Sequence, residues 1–135
     1  DAGRNKIYAK ASEKLAQLEK SENYGYIFET IRTLCDILAL KNDIGIRTRK
    51  AYRAKDMNEI QILVSDYNTL IERIEVFYKA FRKQWFAENK PFGFEIQDMR
   101  LGGLMQRTKN CMERLQSSSF YPVRLQIYRY LHYLQ

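Results

Sequence analysis

The chain has 135 residues, 45% of them hydrophobic and 29% charged, and carries a formal charge of +7. That length and apolar content suffice for one packed domain and exclude disorder over most of the sequence. No apolar run reaches the ~20 residues of a membrane span, and Cys35 and Cys111 are too few to build a disulfide framework.

Two prolines and six glycines are sparse punctuation, which favours a few long helices over many short strands. Asp1-Ala2-Gly3 reads as an appended remnant outside the fold, and the helical pattern starts at Arg4. Across residues 4–20, Ile7, Tyr8, Ala11, Leu15 and Leu18 recur at helical steps, with Lys10, Lys14, Gln17 and Lys20 off the stripe. Ser21 to Tyr24 is a polar break. A second helix is predicted over 24–55, from Tyr24 through Ile27, Phe28, Ile31, Leu34, Cys35, Leu38, Ile44 and Ile46 to Tyr52. Gly45 inside it costs about 1 kcal/mol relative to Ala and marks a place for a kink.

Asp56 is placed to N-cap the third helix, with Glu59 reaching back toward it. The third helix, 57–90, has the strongest apolar period in the chain: Ile60, Leu63, Val64, Tyr67, Leu70, Ile71, Ile74, Phe77, Tyr78, Phe81 and Trp85. Pro91 stops it, because proline lacks the N–H and its ring obstructs the preceding turn. The short link between the second and third helices makes them an antiparallel hairpin about 45 Å long.

Pro91-Phe92-Gly93-Phe94 forms an apolar turn, with Asn89 and Glu95 placed to satisfy its amides. A fourth helix is predicted over 98–116, capped by Asp98, with Leu101, Leu104, Met105, Cys111, Met112 and Leu115 on one face. Gly102-Gly103 near its start suggests close approach of another backbone. Ser117 to Ser119 is expected to end it. The tail, 120–135, carries Tyr121, Tyr128, Tyr130 and Tyr133 and no acidic residue. Helix is favoured there over strand, since a lone strand has nothing to pair with. The expected fold is all-α: an antiparallel bundle of four helices, or five with the tail, built on the long hairpin.

Recognisable catalytic chemistry is absent from the pattern. His132 has no cysteine or carboxylate at a metal-ligand spacing, so neither a metal nor a cofactor is expected. No nucleophile-elbow, zincin, Walker or Rossmann motif occurs, and the carboxylates are scattered singly over polar faces. Arg47, Arg49, Lys50, Arg53 and Lys55 cluster around Tyr52 near the end of the second helix. Cations are favoured there by the helix macrodipole, which makes nucleic acid an unlikely partner. A free-standing basic bundle that binds nucleic acid or an acidic protein is the rival reading.

The densest information lies in Trp85 to Leu104, WFAENKPFGFEIQDMRLGGL, followed by Arg107, Cys111 and Glu113-Arg114-Leu115. Together with the Lys41, Gly45, Arg49 and Tyr52 spacing, this run resembles the C-terminal α-helical domain of bacterial glycoside hydrolase family 20 enzymes, the exo-β-N-acetylhexosaminidases. The resemblance spans Tyr24 to Leu115, fits Asp1 to Asn23 loosely, and is departed from by the tail after Phe120. It implies that the chemistry sits on a separate TIM barrel, where an adjacent Asp-Glu pair acts with the substrate's acetamido group. No Asp-Glu dipeptide occurs here, so the chain alone is expected to be inactive.

The implied role is to buttress that barrel and to offer a homodimer contact at the rim of a neighbouring site. Trp85, Glu88, Asn89, Phe92, Phe94, Asp98 and Arg100 are the expected docking face. The competing internal roles are Trp85 as core anchor, Phe92 and Phe94 as end plugs, Asp98 as N-cap, and Arg100 as partner of Glu95 or Asp98. Free thiols and the lack of a signal-type apolar segment favour the cytoplasm as the expected location.

Overall fold

The computed structural model describes residues 2–120. It contains four helices: α1 Ala2–Leu18, α2 Gly25–Ala54, α3 Met57–Glu88 and α4 Phe94–Phe120. Among the described residues there is no strand. The expected fifth element, 121–135, lies outside the described residues. Ala2 and Gly3 already belong to α1.

The hairpin of α2 and α3 carries the core. Thr30, Thr33, Ile37, Leu40, Ile44, Arg47 and Ala51 on α2 step alternately by three and four. On α3, Ile60, Leu63, Tyr67, Leu70, Ile74, Phe77 and Phe81 do the same. A repeat of 3.5 keeps one seam of each helix facing its partner, the geometry of a two-helix coiled coil. Leu63 and Ile74 are fully buried in this seam. Burial of such side chains contributes about 1.5–3 kcal/mol each. The polar seam positions are satisfied. Thr33 donates to the Glu29 carbonyl at 2.9 Å, and Thr30 lies 3.0 Å from the Tyr26 carbonyl and 3.3 Å from that of Ala80. Arg47 takes Glu59 at 2.9 Å and Asp66 at 2.7 Å.

The link between the two helices is short. Lys55 adopts φ 54°, and the Asp56 N–H reaches the Ala51 carbonyl at 3.0 Å, closing α2 with a Schellman-type cap. Asp56 then accepts from the Glu59 N–H at 3.1 Å and caps α3. The reciprocal half of the expected capping box is not made. The Asp56 N–H is spent on α2, and the Glu59 carboxylate is drawn to Arg47. α2 runs unbroken through Gly45.

α1 packs on α2, α2 on α3 and α3 on α4, and among the described residues no other pair of helices is in contact. The result is bundle-like packing of consecutive helices. Polar pairs cross the α1–α2 contact: Ser12 donates to Asp36 at 2.5 Å, and Arg32 pairs with Glu19 and, at 2.8 Å, with Asp36, while Tyr8, Ala11 and Leu15 on α1 are half-buried. Ile7 and Leu18, expected on the buried stripe, are 66% and 48% exposed, because α1 has α2 alone to lie against.

Two expected bounds of the fourth helix shift. It begins at Phe94, not Asp98, because the Glu95 carboxylate accepts from the Gly93 N–H at 2.8 Å and organises the turn four residues earlier. The serine run does not end it either. Ser117 Oγ donates to the Glu113 carbonyl one turn back at 2.9 Å, an arrangement that satisfies the hydroxyl inside a helix.

Candidate functional site

The segment that resembled a known domain closes one end of the α3–α4 pair. Gly93 has φ 99°, open to glycine alone without strain, and its backbone lies against the Trp85 ring. This turns the chain so that Phe94 enters the core, where it is only 3% exposed. Its ring sits 5.9 Å from Tyr78 and Phe81, 5.7 Å from Trp85 and 5.6 Å from Phe86, at tilted angles that suit aromatic quadrupoles. Trp85 packs edge-on against Phe81, and its indole N–H donates to the Lys90 carbonyl at 3.1 Å. The Asn89 N–H closes α3 on the Trp85 carbonyl at 2.8 Å.

Asp98 does not cap a helix. It accepts from the Tyr78 hydroxyl at 2.8 Å, tying α4 to α3. That hydrogen bond, with burial second, raises the Tyr78 pKa above the usual phenol value.

The seven expected residues therefore divide. Trp85, Phe94, Asp98 and the Asn89 backbone hold the turn together. Phe92, Glu88 and Arg100 face outward. Phe92 was also considered as an end plug, but it is 86% exposed, because the positive φ at Gly93 carries Phe94 inward in its place. Arg100 is exposed and pairs with neither Glu95 nor Asp98; the one is held by the Gly93 amide and the other by Tyr78. Glu88 is exposed, with Gln84 Nε2 at 3.4 Å.

Three further apolar residues near the turn, not singled out in the sequence, are exposed. Met99 is 71% exposed, Ile96 45% and Phe86 41%, the last with the Arg82 guanidinium 4.7 Å above its ring. Ile96, Met99 and Gly103 fall three and four apart and so share one side of α4, away from the Leu101 and Leu104 face. The signal was present in the sequence as apolar residues on the wrong side of that helix. Among the described residues Gly102 and Gly103 do not admit another backbone; a Cβ at either would meet nothing within 4 Å. Open space lies above both.

Phe86, Phe92, Ile96 and Met99 thus expose aromatic, aliphatic and thioether groups at the end of α3, the turn and one side of α4, where the Gly102-Gly103 backbone is bare. Exposed apolar side chains of this size are candidates for a contact surface. Elsewhere five carboxylates are engaged by cations that join two helices or neighbouring turns: Glu19 and Asp36 by Arg32, Glu59 and Asp66 by Arg47, Glu29 by Lys83. Among the described residues no group of His, Cys, Asp and Glu is arranged to hold a metal ion, and no helix is long and apolar enough to cross a membrane.

A search of curated proteins finds no match. A family model, the glycoside hydrolase 20C C-terminal domain, matches residues 2–121 and so takes in all four helices, including α1. The aromatic turn and its resemblance thus lead to the same place as the match, and the chain belongs to the glycoside hydrolase 20C C-terminal domain family, a non-catalytic domain of glycoside hydrolases whose partner is a catalytic domain.

Proposed function

We propose that this domain packs against the catalytic barrel of a β-N-acetylhexosaminidase through the Pro91 turn and the outer side of α4. One observation carries the reading: Phe92 and Met99 stand 86% and 71% exposed on a framework that Phe94, Trp85 and Tyr78 make rigid. Covering such side chains contributes about 1.5–3 kcal/mol each, while the Gly102-Gly103 backbone lets a partner element approach closely. Among the described residues Arg100 has no hydrogen-bond or ion-pair partner, and it is available to a carboxylate on the barrel. Cleavage of the β-linked N-acetylhexosamine belongs to the barrel, and the domain supports that scaffold. A second copy of the enzyme would meet the same surface where it extends past the barrel's edge.

The test is calorimetric titration of this chain into the separately produced catalytic barrel. Phe92→Asp and Met99→Asp are expected to leave the chain's thermal midpoint unchanged, since both side chains are in water, and to weaken association at least about tenfold. Unchanged affinity in both variants would refute the docking surface. Turnover of a chromogenic N-acetylhexosaminide by the isolated chain would refute the non-catalytic role.

A further inference from the structure

α2 and α4 both run antiparallel to α3, and among the described residues their backbones do not approach each other closely, which leaves a groove between their C-terminal halves. Its two lobes, with volumes of about 670 and 390 Å³, share Thr48, Tyr52 and Cys111. Gly45, Arg49, Tyr52 and Arg53 form the α2 wall, Arg114 stands on the α4 wall, and Tyr67 lies in the floor. Gly45 keeps its wall open, since nothing lies within 4 Å of where a Cβ would stand. Tyr52 is 56% exposed above a floor that is largely closed, with Tyr67 at 6% and Leu115 at 4%.

The charges in this groove differ from those elsewhere on α2. Arg32 and Arg47 each hold two carboxylates. Arg49, Arg53 and Arg114 are exposed and have no hydrogen-bond or ion-pair partner among the described residues; Glu113 is the one carboxylate lining the groove. The helix macrodipole accounts for Arg53, which lies in the last turn of α2. It does not account for Arg49 or Arg114, because its effect fades beyond that turn. Three unneutralised guanidiniums around an aromatic, apolar floor form a site complementary to negative charge attached to an apolar body.

We propose that this groove binds an acidic peptide segment, its Asp and Glu carboxylates taken by Arg49, Arg53 and Arg114 and an apolar side chain resting on Tyr52 above Tyr67 and Cys111. Guanidinium forks suit carboxylates in paired geometry. The α2 wall from Gly45 to Arg53 spans about 12 Å at the helical rise. That length fits a short peptide, whereas a nucleic acid presents a phosphate charge every few ångströms along a longer track. The groove lies at the other end of α4 from the Pro91 turn, so the proposal stands independently of barrel docking there.

The experiment is fluorescence anisotropy with the 135-residue chain and a labelled synthetic peptide, Glu-Glu-Leu-Glu-Glu-Phe-Glu-Glu, compared with its lysine counterpart and a short single-stranded oligonucleotide. The acidic peptide should bind, with affinity falling as salt rises. The double variant Arg49→Glu, Arg114→Glu should bind about tenfold or more weakly. Lys10→Glu with Lys14→Glu, on α1, should leave affinity unchanged. Thermal melts establish that each variant is folded, and Arg49→Gln with Arg114→Gln serves if charge reversal unfolds the chain. Equal binding of the lysine peptide, tighter binding of the oligonucleotide, or full affinity in the folded groove variant would overturn the proposal.

Discussion

At the scale of single residues, backbone constraints separate glycines that look alike in the sequence. A Cβ on Gly25 would stand 2.3 Å from the Glu19 carbonyl oxygen, a backbone atom that cannot swing away. Gly25→Ala is therefore expected to cost about 1–3 kcal/mol, seen as a lower denaturation midpoint. Gly103→Ala faces open space in mid-helix and should stabilise the isolated chain by roughly 0.5–1 kcal/mol while weakening association with the barrel. Opposite signs in these two melts check the assignment. Nothing in a lone glycine's sequence context separates the two cases, which is why close approach was expected at the wrong pair. Tyr67 offers a pH test. Burial, more than its contact with Cys111, raises its pKa from 10.0 to about 12. The folded state keeps the phenol protonated where the unfolded chain releases it, so the contribution to stability is present below pH 10 and is lost as pH rises toward 12. Tyr67→Phe should flatten that part of the stability profile; Thr48 would still hold the Ile44 carbonyl at 2.7 Å.

Among the elements, strength follows the kind of contact. The α2–α3 seam is apolar, and Leu63→Ala or Ile74→Ala should cost about 2–5 kcal/mol in chemical denaturation, as cavities in closed cores do. α1 contributes no fully buried hydrophobic side chain, and its ties to α2 include Ser12, Glu19, Arg32 and Asp36, groups with hydration to regain. Hydrogen exchange should accordingly show α1 opening before the hairpin does. The hairpin was legible from the sequence, because the period of Ile60 to Phe81, the Asp56 cap and Pro91 agree with one another. The start of α4 was not. Asp98 is a good cap in isolation, and only the folded turn reveals that Glu95 serves Gly93 while Asp98 serves Tyr78. The exposure of Ile7 and Leu18 was hidden too, since an apolar stripe does not state how many neighbours will cover it.

At the scale of the whole molecule, consecutive packing leaves surfaces unshared among the described residues; exposed apolar side chains occur on every helix, and Phe92 and Met99, beside the turn at Pro91, are the most exposed of them. The seven residues singled out in the Trp85 to Leu104 block are of two structural kinds. Phe94 and Trp85 build the end of the domain, while Phe92, joined by the unforeseen Ile96 and Met99, is presented outward. Periodicity alone could not divide them, because the positive φ at Gly93 decides which phenylalanine turns in. The most direct measurement is oxidative footprinting of Met99, carried out on the isolated chain and on the parent enzyme with its barrel attached. The account predicts rapid oxidation in the isolated chain and strong protection in the enzyme. Equal oxidation rates in the two would contradict it.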